Sequence, residues 1–181
     1  MRDLSLHLLD LSMNSIRAKA TTIEIEIIEN IMGNTLQIRL KDNGCGMSEE
    51  MVKQVQNPFF TTRTTRNVGL GLSLLSAMAQ RCEGEVEIIS SLGIGTEVKI
   101  TMRLNHMDRP PFGEIHNTLV SLILLEPEIE FSYRHQNNQQ EYDFKTEEVK
   151  TLIGEIPINH PSIIHWIETE LKEGDFPFIT Y

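Results

Sequence analysis

The apolar positions along the chain change period repeatedly, and each change marks an element. From Asp3, Leu4, Leu8, Leu11 and Ile16 recur at helical spacing, which predicts a helix running to about Ala20 with Asp3 as its N-cap. Thr22 to Ile28 then alternates Ile with Glu, the pattern of a strand with one wet face. Thr35 to Leu40 alternates again beyond a Gly33-Asn34 turn, so the two runs predict a hairpin. Ser48-Glu49-Glu50 supplies a cap and two acids for the positive end of a short helix. Asn57 to Val68 is polar, basic and Thr-rich, hence a loop. Gly69 to Arg81 is apolar at Leu70, Leu74, Leu75 and Met78, a helix that opens on glycines. Glu85 to Ile89 and Glu97 to Met102 alternate as strands around Gly93-Ile94-Gly95. Helices and strands interleave throughout, an α/β layer architecture.

The pattern breaks at Asn105 to Gly113, where Asp108-Arg109-Pro110-Pro111 reads as a connector because paired prolines interrupt helix and interior strand alike. This predicts a domain over residues 1–104, a linker over 105–112 and a small α/β appendage over 113–181. The appendage is expected to hold a helix at about 113–125 and strands near Ile129 to Arg134 and Glu141 to Phe144, joined by Asn137-Asn138. Two short helices should follow Thr146 and Pro161. Leu119, Leu122, Ile123 and Leu124 are expected to pack on the uncovered sheet face of the first domain.

Composition narrows the class. With 181 residues, 40% of them hydrophobic and 23% charged, the chain is long enough for one domain with an appendage and can bury a core. No apolar run approaches the ~18 residues that span a bilayer. The start, Met1-Arg2-Asp3-Leu4, lacks the apolar region of a secretory signal, so a cytoplasmic protein with no membrane partner is expected. The net charge of -10 is uneven, with -1 in residues 1–104 and -9 in residues 105–181. An acidic tail repels phosphate backbones, which argues against nucleic acid as a partner. Cys45 and Cys82 form no CxxC, so no zinc site or disulfide framework is signalled.

Four local motifs carry chemistry. Asp10 and Asn14 are four apart on the opening helix and share a face; the carboxylate can orient or deprotonate water, and the Asn oxygen suits Mg²⁺. Asp42-Asn43-Gly44-Cys45-Gly46-Met47 ends a strand; its glycines permit close backbone approach, and Asp42 can accept from an exocyclic amine. Pro58-Phe59-Phe60-Thr61-Thr62-Arg63-Thr64-Thr65-Arg66 joins an apolar anchor to a loop whose Arg63 and Arg66 can clamp phosphate oxygens. Asn67-Val68-Gly69-Leu70-Gly71-Leu72-Ser73 opens a helix whose free N–H groups make a phosphate site. Each alone is an ordinary polar face, turn or loop; it is their order that is specific.

Together with Gly93-Ile94-Gly95-Thr96, these motifs resemble the GHKL or Bergerat-fold ATPases, a superfamily that includes gyrase, heat-shock chaperone ATPases, histidine kinases and mismatch-repair ATPases. The resemblance covers about residues 3–104. It implies a two-layer sandwich of helices on one face of a mixed or antiparallel sheet, with ATP and Mg²⁺ as cofactors. Asn14 would ligate Mg²⁺ and Asp42 would read the adenine amino group. Gly44 and Gly46 would shape the adenine pocket, and Thr96 would support Asp42 through its hydroxyl or a water. Gly69, Leu70, Gly71 and Leu72 would present N–H groups to the phosphates, with residues 61–68 as a lid.

The branch is set by departures from the pattern. Asp10 stands where hydrolysing members carry Glu and is one methylene shorter, which implies slow hydrolysis. Ala20-Thr21-Thr22-Ile23-Glu24-Ile25 is similar to mismatch-repair ATPases, but Arg17 resembles the cation that contacts phosphate in histidine kinases. Asn67 replaces the first glycine of the kinase motif, and the lid is short. The nucleotide helix begins at the third residue, and His7 on it reads as structural. His106, His116, His135, His160 and His165 show no metal spacing and lie outside the nucleotide motifs. With no phosphoacceptor His on a helical hairpin ahead of the opening helix, autophosphorylation in the usual kinase architecture is not expected. Three readings follow: a slow ATPase with Asp10 as base, a kinase acting in trans like the anti-sigma-factor serine kinases, or an ATP-occupancy switch with a protein partner on the acidic tail. Deleting residues 106–181 is expected to leave nucleotide affinity nearly intact.

Overall fold

The computed structural model describes residues 3–56 and 70–179. The opening helix, α1 (Leu4–Arg17), starts where Asp3 accepts from the Leu6 N–H at 3.0 Å and ends where the Ala18 N–H donates to Asn14 O and the Lys19 N–H to Ile16 O, with Lys19 at φ 63°. Leu4, Leu8 and Leu11 bury one stripe of it, and Ser12 and Ser15 continue that stripe. β1 (Thr22–Asn30) and β2 (Thr35–Asp42) form the expected antiparallel hairpin, with Ile25 opposite Leu40 and Ile27 opposite Ile38. At their turn Asn34 takes the left-handed conformation, φ 49°, which Asn tolerates better than most side chains.

α2 (Glu49–Gln56), α3 (Leu70–Arg81), β3 (Glu85–Ser91) and β4 (Gly95–Arg103) follow, and then α4 (Ile115–Leu125), β5 (Glu130–Asn137), β6 (Glu141–Lys145), α5 (Thr146–Ile153) and α6 (Pro161–Gly174). The strands make one sheet in the order β3-β4-β2-β1-β5-β6, antiparallel throughout except where β5 runs parallel to β1.

Period-two patterning sorts the sheet into two faces. Ile23, Ile25, Ile27, Leu36, Ile38, Leu40, Ile100 and Met102 are buried, and α1 packs against both α3 and α4 while α4 packs against α6. The opposite face carries Arg39 among Glu24, Glu26 and Glu97, with Arg39 Nε 3.0 Å from Glu97 Oε1. The result is the two-layer α/β sandwich on a mixed sheet that the motifs implied.

Residues from 113 onward were expected as a separate appendage; in the structure they extend the same sheet. β1 has a second edge of unpaired backbone groups, and β5 carries Phe131 and Tyr133 at the same alternating period, so pairing satisfies that edge and widens the core at once. The pairing is parallel because the chain returns from β4 through α4 rather than through a tight turn. Leu119, Leu122 and Ile123 are at most 2% exposed, worth about 1.5–3 kcal/mol each, whereas Leu124 faces outward at 47% rather than packing as expected. Among the described residues no helix is long and apolar enough to cross a membrane.

Candidate functional site

Asp42 is the last residue of β2, and its carboxylate is turned into the protein at 7% exposure. A buried carboxylate needs donors, and two are present: Ser15 Oγ donates to Oδ2 at 2.6 Å and the Gly44 N–H to Oδ1 at 2.8 Å. Ser15 lies on the buried stripe of α1, so helix and strand are joined through this hydrogen bond. The turn after Asp42 is held on both sides. Asn43 Oδ1 accepts from the Thr21 and Thr22 N–H groups, Cys45 N–H donates to Ala18 O, and Gly93 N–H donates to Cys45 O.

Close approach explains the two glycines. A Cβ at Gly44 would stand 2.8 Å from Ala18 O, and one at Gly46, where φ is 65°, would stand 2.0 Å from Ser91 O. Thr96 pairs with Asp42 across β4 and β2, but its hydroxyl lies 2.8 Å from Ser90 Oγ, which also accepts from the Met47 N–H. Asp42 is thus supported by Ser15 and Gly44, and Thr96 by Ser90.

These residues enclose a cavity of about 240 Å³. Leu11, Leu40, Leu72, Val98, Met47 and Met51 give it apolar walls, and Asp42, Ser15, Thr96, Asn14 and Arg17 give it polar groups. Few polar groups in an apolar setting is the usual make-up of a site that orients a flat, largely apolar ligand. Leu72 joins from the first turn of α3, and a Cβ at Gly71 would meet no atom of the described residues within 4 Å.

Asn14 and Arg17 project from the same stretch of α1, and Arg17 Nη1 donates to Asn14 Oδ1 at 3.3 Å. That amide oxygen therefore already faces a cation. Asp10 is one turn earlier, exposed on the helix and not among the lining residues. Among the described residues no cluster of three or more His, Cys, Asp or Glu side chains is placed to hold a metal, so a cation here would depend on Asn14 and on ligand oxygens. Arg63, Arg66 and Gly69 lie outside the described residues, and of Leu70 the backbone alone is described, as the first residue of α3.

Of the motif residues, Asp42, Gly46, Asn14, Arg17, Leu72 and Thr96 line one cavity, and Gly44 supports it through its N–H to Asp42. The motifs missed Ser15, whose signal is a hydroxyl on the apolar stripe of an amphipathic helix. Leu11, Leu40, Val98 and Met51 carried no signal, because wall residues look like core until the space beside them is known.

A family model described as histidine kinase-, DNA gyrase B- and HSP90-like ATPase matches residues 2–106. A putative sensor protein of Shewanella frigidimarina is 38% identical over 103 residues, which is 56% of this chain and 16% of that protein. A probable C4-dicarboxylate sensor kinase of Halalkalibacterium halodurans is 42% identical over 65 residues, 36% of this chain and 12% of that protein. The matches thus span a small part of these curated relatives. The ATPase domain of Aquifex aeolicus MutL, solved with ADP, aligns with a TM-score of 0.51 and 21% identity, covering 84% of this chain and 69% of that one. A coverage of 84% of this chain means that this likeness of fold extends past residue 106.

Proposed function

The chain belongs to the histidine kinase-, DNA gyrase B- and HSP90-like ATPase family, and from that premise we propose that it binds Mg²⁺-ATP in the cavity beneath Asp42 and hydrolyses it slowly. The observation that carries the reading is the carboxylate held by Ser15 and Gly44 inside an apolar cavity that Asn14 and Arg17 also line.

In this reading the adenine ring lies between Leu40, Val98 and Leu72, and its exocyclic amine donates to Asp42. Guanine carries a carbonyl at that position and would set an acceptor against a carboxylate, so adenine is selected. Asn14 would hold Mg²⁺ through Oδ1, and the metal when bound would neutralise phosphate charge. The proximity of Arg17 to that oxygen supports the fit, because it marks a position where a positive charge is accommodated. Arg17 turns to a phosphate oxygen when nucleotide enters, and the N–H groups opening α3 at Leu70, Gly71 and Leu72 face the phosphates. Arg63 and Arg66 would close over them.

Asp10 is the general base, set one turn from Asn14 with a side chain shorter than Glu, so the water is poorly placed and turnover is slow. Arg17 and the kinase relatives favour a second reading, in which the γ-phosphoryl group passes to an acceptor on another protein.

One experiment separates the readings: γ-labelled ATP with Mg²⁺ is incubated with the wild type and with Asp10→Asn, and released phosphate and protein-bound label are followed together. Phosphate release that disappears in Asp10→Asn is the expected result. Tight nucleotide binding with no release from the wild type would overturn the hydrolase reading and leave transfer in trans.

A further inference from the structure

A second set of charged groups lies on the helix-covered side of the sheet, sealed from solvent and away from the cavity. His135 on β5 and Glu29 on β1 are 0% exposed, and the side chain of Asp175, just after α6, is equally closed off. His135 Nε2 is 2.8 Å from Glu29 Oε1 and its Nδ1 is 2.8 Å from Asp175 Oδ1. A neutral imidazole donates from one nitrogen only and would set a lone pair against the other carboxylate. An imidazolium donates to both.

The remaining oxygens are also supplied. Asp175 Oδ2 accepts from Tyr133 Oη at 2.7 Å and faces His116 Nε2 at 2.9 Å; Glu29 Oε2 accepts from the Ile179 N–H at 2.9 Å. Burial opposes a charge on His135, but its hydrogen bonds to Asp175 and Glu29 outweigh that and hold its pKa above the usual value. The other groups around it are His116 from α4, Tyr133 on its own strand, Tyr142 from β6 against Tyr133, and Glu170 from α6 beside Tyr142.

These bonds fasten the segment after α6. Phe176 and Phe178 both stack on the His135 ring, at 4.0 and 4.4 Å between centroids. Phe178 also stacks on Phe112 in the connector, at 4.4 Å, and Arg109 Nη2 donates to Ile179 O. The connector reaches the nucleotide helix directly: Pro111 O and Phe112 O accept from the Leu4 and Ser5 N–H groups, the otherwise unpaired donors that open α1. Continuous packing therefore runs from His135 through Phe178 and Phe112 to the helix that carries Asn14, Ser15 and Arg17.

We propose that residues 175–179 form a proton-operated strap, in which the His135 imidazolium holds this segment over the connector and so positions α1 for nucleotide. The inference rests on the nucleotide-binding reading. His135 is a positioning residue; it is not among the residues that line the cavity. Loss of its proton leaves two buried carboxylates with one donor fewer and releases Phe178 from Phe112. Nucleotide affinity then falls as pH rises.

The test is calorimetric binding of ATP to the full chain from pH 7 to 9.5, where the ATP phosphates stay ionised, together with amide exchange at Ile179 corrected for intrinsic rates. The variants are His135→Gln, which cannot charge, and Phe178→Ala, which keeps the charges but breaks the stack. In the wild type, Kd rises several-fold, and Ile179 exchange accelerates at the same midpoint. Both variants bind several-fold more weakly at pH 7, and His135→Gln shows no such midpoint. A wild-type Kd that stays constant overturns the strap, as does an equal midpoint in His135→Gln. Should Phe178→Ala bind as the wild type does, the path through Phe112 is wrong. Absence of ATP binding at every pH overturns the nucleotide reading itself, a result distinct from binding that ignores pH.

Discussion

Ser15 Oγ donates to Asp42 Oδ2 at 2.6 Å, joining two residues that lie 27 apart in sequence and on different elements. With the Gly44 N–H on the other oxygen, the carboxylate has a single orientation before any ligand arrives. Ser15→Ala removes one of two donors to a buried charge. Hydrogen bonds to charged groups are worth about 1.5–3 kcal/mol, so the ATP Kd is expected to rise between roughly tenfold and a hundredfold. Adenosine should lose as much as ATP, since the defect lies under the base. Titration of both ligands into Ser15→Ala decides it; unchanged adenosine affinity would show that Asp42 is held without the hydroxyl.

The dependence of this pair on two elements explains what the sequence made legible. Asp42, Gly44 and Gly46 are legible because their turn stands in order with the other motifs; alone, Asp42-Asn43-Gly44 reads as an ordinary turn. Ser15 is not, since one serine on a helix is common and only the distance to Asp42 gives it a role. The hairpin, α1 and α3 followed from hydrophobic period. The place of β5 did not: Phe131 and Tyr133 predict a strand, but which edge it joins depends on α4 lying against α1, a contact between residues about a hundred positions apart. His135 looked like a lone histidine for the same reason, its partners Glu29 and Asp175 being 106 and 40 residues away.

Asn14 and Arg17 predict how metal and nucleotide depend on each other. Arg17 Nη1 stands 3.3 Å from the amide oxygen proposed for Mg²⁺, so metal and guanidinium compete for one acceptor until phosphate gives Arg17 another partner. Wild-type ATP affinity should therefore be higher with Mg²⁺ than with EDTA. In Asn14→Ala that advantage shrinks to less than about threefold, a difference of well under 1 kcal/mol. Arg17→Ala should weaken ATP by roughly tenfold while leaving adenosine unchanged, as expected for a residue that meets phosphate and not base. Equal losses for ATP and adenosine in Arg17→Ala would place the side chain against the base instead.

Stability should peak in mildly acidic solution because of two oppositely shifted groups. Burial works against the Asp175 charge, but hydrogen bonds from His116, His135 and Tyr133 hold its pKa well below the usual carboxylate range. Its contribution is present above the unfolded value of about 3.9 and is lost as pH falls. The His135 pKa is raised, so its contribution is full below the unfolded value of about 6.5 and is lost as pH rises through the folded value. Thermal unfolding from pH 3 to 9 is expected to show the highest Tm between about 4 and 6.5. In His135→Gln the decline on the alkaline side should flatten; an identical alkaline decline in that variant would assign the linkage to another group.

Truncation tests whether residues 106–181 can be spared. The sequence, with its proline connector and charge shift, predicts that residues 1–105 retain nucleotide affinity. Three contacts argue the opposite. β5 pairs along β1 from Thr22 to Glu29, and without it the backbone of that edge and the flanks of Ile23, Ile25 and Ile27 meet water. α4 covers part of α1, and Leu119, Leu122 and Ile123 leave with it. The Leu4 and Ser5 N–H groups lose Pro111 O and Phe112 O, which loosens the first turn of the helix that carries Asn14 and Ser15. Losing three side chains worth about 1.5–3 kcal/mol each consumes much of the ~5–15 kcal/mol by which a domain is stable. The truncated chain is therefore expected to unfold at least 10 °C lower than the full chain, or to aggregate through β1, and to bind ATP at least tenfold more weakly. Circular dichroism and calorimetry on the two chains give the answer. Equal Tm and Kd would mean that the first four strands and α1 form a complete nucleotide domain, and that β5 and α4 only lean on it.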